Sequence, residues 1–187
     1  EQMQTPRKVK FDPHNHLRTS SKLEGIPYLT RAMNFNEVID LASERLGPRG
    51  IIGIINFADK RYENFVDMKG YERSYIGERK NAIHVPQTGT TVIKGQEVPT
   101  MNGHLLVLGL GYDIHINQYK EVVDTIKQAR DFGAIVILDH PFGVEGAGKY
   151  FSENPELLYF IDAVETFNGE ASFAFPFPPL NIPRKAN

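Results

Sequence analysis

Three nearly uninterrupted apolar runs, residues 50–56, 105–110 and 134–138, do most to limit what this chain can fold into. Apolar runs of this kind, without alternation, fit strands covered on both faces, as in parallel α/β sheets. Between them lie stretches with helical spacing. Asn34 followed by Glu37 has the form of a capping box, Phe35, Val38, Ile39, Ala42 and Leu46 then share one face, and Gly47 and Pro48 stop the helix. Tyr119, Val122, Val123, Ile126, Ala129 and Phe132 make a second amphipathic set, closed by Gly133. Further strands are expected over residues 8–12 and 163–167, two short ones around Gly89 within 83–95, and a short helix over 155–160. Such alternation argues for a parallel α/β architecture, whose chemistry sits at the C-terminal ends of its strands. Residues 57–82 show neither period and carry Lys60, Arg61, Arg73, Arg79 and Lys80, so a long excursion outside the core, with room for a short helix, is expected there.

His14 and His16 stand one residue apart at the tip of the first expected strand. In an extended backbone they share a face, so both imidazoles can grip one metal ion. Asp12 has the same parity and is placed to orient one of them. Glu97, His104 and His140 also lie at or next to the ends of apolar runs. The chain has no cysteine. A metal site must then use His, Asp, Glu and water, which suits hydrolytic centres of Zn, Mn, Fe or Mg better than structural zinc. Arg18 and Arg61 follow strand ends, where paired N–H donors can clamp a phosphate, although basic residues there also read as solvated surface. His84 and His115 have no partners in sequence and read as structural.

A length of 187 residues suits one domain with a sizeable core. The formal net charge of −2 leaves no global basic field for non-specific nucleic-acid binding. No apolar run approaches the ~20 residues of a membrane span, and the N-terminus has no apolar signal segment. The reading is a cytoplasmic protein without a membrane partner. Its oligomeric state is not written in the sequence.

These features together resemble the PHP (polymerase and histidinol phosphatase) domain, a superfamily of metal-dependent phosphoesterases. Asp12-Pro13-His14-Asn15-His16 looks like its opening D-x-H-x-H motif, and Ser20 or Ser21 falls where members often carry a serine. Asn36 to Ala42 resembles the helix that follows. Gly95-Gln96-Glu97-Val98-Pro99-Thr100 with Gly103-His104-Leu105 is similar to a G-x-E-x-x-T and G-H-x-L stretch. Asp139-His140-Pro141-Phe142 looks like the H-P motif, and Asp162 to Gly169 like a D-x-x-E-x-x-N-G segment. The matches keep family order over residues 8–169.

The resemblance implies a distorted (β/α)7 TIM-like barrel of the PHP type with two or three divalent metal ions. It implies His14, His16, Glu97 and His140 as ligands, His104 as a ligand in some branches, and Glu97 as a bridge. Glu165 and Asn168 match positions near the pocket. The implied activity is hydrolysis of a phosphate mono- or diester of a small molecule or nucleotide, with a nucleic-acid end as a further option, by a metal-activated water. Two departures bear on it. The T-D-H expected after the second strand is replaced by Asn56-Phe57-Ala58-Asp59, where Asp59 substitutes only with a shift of register. The S-D-x-H unit near the family's C-terminus is not reached. We therefore expect residues 1–187 to be a single PHP-like domain, truncated at its C-terminus, with residues 170–187 as a Pro-rich tail. The alternative is a degenerate, non-catalytic PHP-like module with a binding or structural role.

Overall fold

The computed structural model describes residues 8–17, 32–143 and 145–166. Eight strands form one sheet: β1 (Phe11–Asn15), β2 (Ile51–Asn56), β3 (Ser74–Tyr75), β4 (Ala82–Val85), β5 (Thr90–Thr100), β6 (Gly103–Leu108), β7 (Ile135–Leu138) and β8 (Ala163–Val164). Its main path runs β1-β2-β5-β6-β7-β8 and curls into a half-barrel, with β4 on the first part of β5 and β3 beyond it. Four α-helices accompany it, α1 (Phe35–Leu46), α2 (Arg61–Val66), α3 (Val122–Asp131) and α4 (Gly148–Glu153), with a 3₁₀ helix over Pro155–Phe160. None of the described helices is long and apolar enough to cross a membrane.

Helix α1 begins where its capping box places it. The Asn34 side chain accepts the Glu37 N–H at 3.0 Å, and the Glu37 carboxylate accepts the Asn34 N–H at 3.0 Å. Gly47 ends it at φ 79°, a conformation that costs glycine little. Phe35, Val38, Ile39 and Ala42 pack with Ile52, Ile54, Ile83 and Val92 into one core. Helix α3 buries Val122, Ile126 and Ala129 against Val98, Leu105, Val107, Val136 and Leu138. Side chains alternate along a strand, so Leu106, Leu108 and Ile137 point to the opposite face, where they meet Ile55. Glu97 lies opposite Leu106, which lies opposite Ile137, and all three therefore share that face.

Two expectations need correction. The sheet is mixed: β1-β2-β5 and β7-β8 are parallel, whereas β4-β5, β5-β6 and β6-β7 are antiparallel. β5 runs on to Thr100, and only Met101 and Asn102 separate it from β6. That connection is too short for a parallel crossover, which takes a dozen residues or more. Residues 57–82 are not an excursion outside the core either. Tyr62, Phe65 and Val66 on α2 are buried in the α1 core. A short helix there agrees with the sequence, but one and a half turns between charged flanks show too little periodicity to reveal its buried face. At α3 the ordered helix is shorter than the pattern, so Tyr119 and Phe132 fall at its ends and are exposed.

Candidate metal centre

The mixed sheet brings scattered residues to one edge. The C-terminal ends of β1, β2, β5, β7 and β8 lie on that edge, and so does the N-terminal end of the reversed strand β6. His14 is the fourth residue of β1, and His16 follows the strand's end. His104 is the second residue of β6, Asp139 and His140 directly follow β7, and Glu165 directly follows β8. Glu97 lies inside β5 rather than at its end, because the β5-β6 hairpin continues past β2.

Glu97 is the hub. Its Oε1 is 2.6 Å from His104 Nδ1 and 3.2 Å from His140 Nε2. Its Oε2 is 2.9 Å from His16 Nε2 and 3.6 Å from His14 Nε2. The Nε2 atoms of His14 and His16 face each other at 2.8 Å, as expected for two side chains on one face. His14 Nδ1 points away, 3.2 Å from Glu165 Oε1 and 3.1 Å from Asp139 Oδ1. The other Glu165 oxygen accepts the His140 backbone N–H at 2.8 Å. Asp139 is fully buried, with Oδ2 3.3 Å from His140 Nε2, yet neither carboxylate oxygen has an aligned hydrogen bond among the described residues. Three overlapping groups gather here, each with its ligand atoms within 4.8 Å of one another. They are Glu97-His104-Asp139-His140, His14-His16-Glu97 and His14-Asp139-Glu165.

The electrostatics follow from packing three carboxylates among four imidazoles. Burial would raise the Glu97 pKa, but hydrogen bonds from His104, His14, His140 and His16 hold it far below the usual carboxylate range. Burial would lower His14, but Asp139, Glu165 and Glu97 push it up to about 12. Glu165 is pulled down to about 2, against burial, chiefly by its bond to His14. His140 is raised, first by Glu97 and against burial. Asp139 is raised by burial, which His14 only partly offsets.

No protein-family model matches the sequence, and no curated protein matches it either. Solved structures do. Endonuclease Q, in complex with a 27-mer duplex carrying an abasic lesion at the active site, aligns with a TM-score of 0.54 at 13% identity. The alignment covers 83% of this chain and 42% of that one. A lesion-specific endonuclease from Pyrococcus furiosus gives a TM-score of 0.49 at 15% identity, over 72% of this chain and 35% of that one. A two-domain protein from Bacteroides vulgatus, containing a predicted PHP-like metal-dependent phosphoesterase, gives 0.49 at 19%, over 83% and 43%. The chain thus spans less than half the length of each. Its fold is similar to that of the aligned part of Endonuclease Q.

Within this fold His14, His16, Glu97, His104, His140 and Glu165 lie close together. Asp59 does not join them: its Oδ2 is 2.5 Å from Arg61 Nε, and its Oδ1 accepts the Phe57 N–H at 3.1 Å. Arg61 lies over the Phe57 ring, 5.0 Å from its centre. Asp12 is exposed and orients neither histidine; Glu165 and Asp139 take that place at His14. Arg18, Asn168, Ser20, Ser21 and the Pro-rich tail lie outside the described residues. His115 approaches Glu63 at 3.8 Å, and His84 lies on β4 opposite Thr91, both away from the groups above. Sequence reasoning overlooked Asp139 as a site residue. Its signal was a carboxylate placed directly after a buried apolar run, a position that leaves it no access to water.

Proposed function

We propose that this chain is a PHP-type domain and a metal-dependent hydrolase of phosphoesters. The observation that carries the reading is the division of Glu97, with one oxygen toward His104 and His140 and the other toward His14 and His16. A carboxylate so shared suits a bridge between two cations. The donor set supports it. Two imidazole nitrogens face each other at 2.8 Å, and a buried aspartate lacks hydrogen bonds on both oxygens among the described residues. A cation relieves both, because it accepts lone pairs that now crowd one another or lack an aligned donor.

His14, His16, Glu97, His104, His140 and Asp139 would hold two or three divalent ions, and nitrogen and carboxylate donors suit Zn, Mn or Fe, with Mg a weaker fit. Such ions bind phosphoryl oxygens and bring the pKa of a bound water close to neutrality. Glu165 fixes the His14 ring through Nδ1, which turns the Nε2 lone pair toward His16 and Glu97. Its second oxygen fixes the backbone of His140, so one carboxylate sets two of the ligands. Arg18 and Asn168 are carried as substrate contacts on the family resemblance, and Arg61 is carried as a phosphate contact from its place after a strand end. Residues 8–169 belong, on this reading, to one PHP-like domain, part of a distorted (β/α)7 barrel. The likeness to Endonuclease Q makes a nucleic-acid diester a substrate class to test beside nucleotide and small-molecule monoesters.

A second reading, a binding module without catalysis, draws on Asp59, which is bound to Arg61 rather than to the histidine cluster. The test is elemental analysis of protein purified without chelator, joined to hydrolysis of p-nitrophenyl phosphate, its bis ester and an abasic duplex. Metal at one or more per chain with turnover of any of these, both lost in Glu97→Gln, is the expected result. Bound metal with no turnover in any assay would favour the module, and no metal would overturn both.

A further inference from the structure

Four histidines enter the centre, but their rings are not held in the same way. His14 Nδ1 faces two carboxylates, and His104 Nε2 faces Glu145 Oε2 at 3.6 Å. His16 has no such partner. Its Nδ1 is buried and without a hydrogen bond among the described residues. What lies against the ring instead is Phe57, with ring centres 4.3 Å apart and planes within 7° of parallel. Phe57 is itself held by two neighbours. Asp59 Oδ1 accepts its backbone N–H, and Arg61 lies over its ring at 5.0 Å, with Asp59 Oδ2 fixing the guanidinium through Nε at 2.5 Å. Phe57 thus has the His16 imidazole stacked on its ring and the Arg61 guanidinium over it, with one aspartate bonded to both Phe57 and Arg61.

Resting on the metal-centre reading above, we propose that Phe57 is the positioning residue for His16. Its clamp of Asp59 and Arg61 does by stacking what a hydrogen-bond acceptor does for His14. A metal-binding imidazole needs its ring plane fixed so that the lone pair meets the ion. A flat aromatic surface fixes that plane without taking up a ring nitrogen. Dispersion contact and an offset quadrupole hold the pair in register, which an aliphatic side chain of equal bulk cannot do. Asp59 and Arg61 then serve the centre at one remove from its ligands.

The probe is Co²⁺ alone, added to the metal-stripped full chain, because its visible absorption reports the geometry of the ligand set as well as occupancy. Phe57→Leu keeps apolar bulk and removes the flat ring. It should weaken Co²⁺ binding by about 10- to 100-fold, the usual effect of losing an outer partner, and should change the shape of the absorption band. Phe57→Tyr should restore both. Asp59→Asn, which loosens the clamp and leaves the apolar packing intact, should show the same change in smaller measure, and it decides alone if the leucine variant does not fold. Wild-type affinity and band in Phe57→Leu, or in Asp59→Asn where that variant decides, would overturn the proposal while leaving the metal centre standing. Absence of Co²⁺ binding in the wild type would overturn the centre itself and the proposal with it.

Discussion

Glu97 occupies a place where a single atom change should be felt by four other residues. Glutamine keeps its size but offers one acceptor where the carboxylate offers two, so one pair of imidazoles loses its partner. Glu97→Gln should therefore empty the site and also destabilise the metal-free fold, by about 3–5 kcal/mol for a buried ion pair broken on one side, read from urea unfolding. The pH dependence has a definite sign. His14 is pushed up to about 12, above its ordinary 6.5. Its contribution to the metal-free fold is fully present below pH 6.5 and is lost as pH rises toward 12. Glu165 is pulled down to about 2 from 4.5, so its contribution holds above pH 4.5 and is lost as pH falls toward 2. The urea midpoint of the metal-free protein should fall on both sides, and Glu165→Gln should flatten the acid side. A metal ion competes with the proton at His14, so affinity should rise with pH in a Co²⁺ titration. At this scale the histidines were legible because they stand at the ends of apolar runs. Asp139 was not, because a buried carboxylate among imidazoles is recognised by its surroundings and not by its neighbours in sequence.

Elements were legible where local chemistry decides them. The Asn34-Glu37 box and Gly47 settle α1 without reference to the rest of the chain. Helix α2 is different. It is short, and Glu63 on its buried side is bonded to Asn56 at 2.8 Å and to Lys94, which is itself fully buried. Lys94 Nζ also donates to the carbonyls of Gly111 at 2.9 Å, Tyr112 and Ile114 at 3.0 Å. Burial lowers its pKa, and Glu63 opposes that. A helix held by a buried ion pair carries little hydrophobic period, which is why residues 57–82 read as an excursion. Lys94→Met should cost about 3–5 kcal/mol by leaving Glu63 buried without its cation, while replacing both by apolar residues should cost much less; urea midpoints of the single and double variants decide. The β5-β6 hairpin had its signal in Asn102-Gly103, a favoured turn dipeptide. Gly103 sits at φ 119°, and a Cβ there would stand 2.5 Å from the Ala147 backbone nitrogen. Gly103→Ala should thus push the 141–148 turn away from His104 and lower Co²⁺ affinity, with unchanged affinity counting against this role.

Over the whole molecule, the order of motifs along the chain was readable and the direction of the strands was not. A buried apolar run looks the same whether its neighbour is parallel or antiparallel, so β6 reads as another parallel strand although it runs backward. That reversal is what puts His104 beside His140. It also gives the centre a history. Glu97 and His104 are 7 residues apart on one hairpin, whereas His14 and Glu165 are 151 apart. Closing a short loop takes less chain entropy than joining the two ends of a domain, and local contacts form sooner. The hairpin half should be in place while β1 and β8 are still free. Pulse-labelled amide exchange during refolding should find residues 95–106 protected before residues 11–15 and 163–165, and the reverse order would refute this. An ion present from the start would then meet Glu97 and His104 first. The clasp between the two distant ends would complete its coordination last, making the arrival of β1 and β8 the step at which metal is locked in.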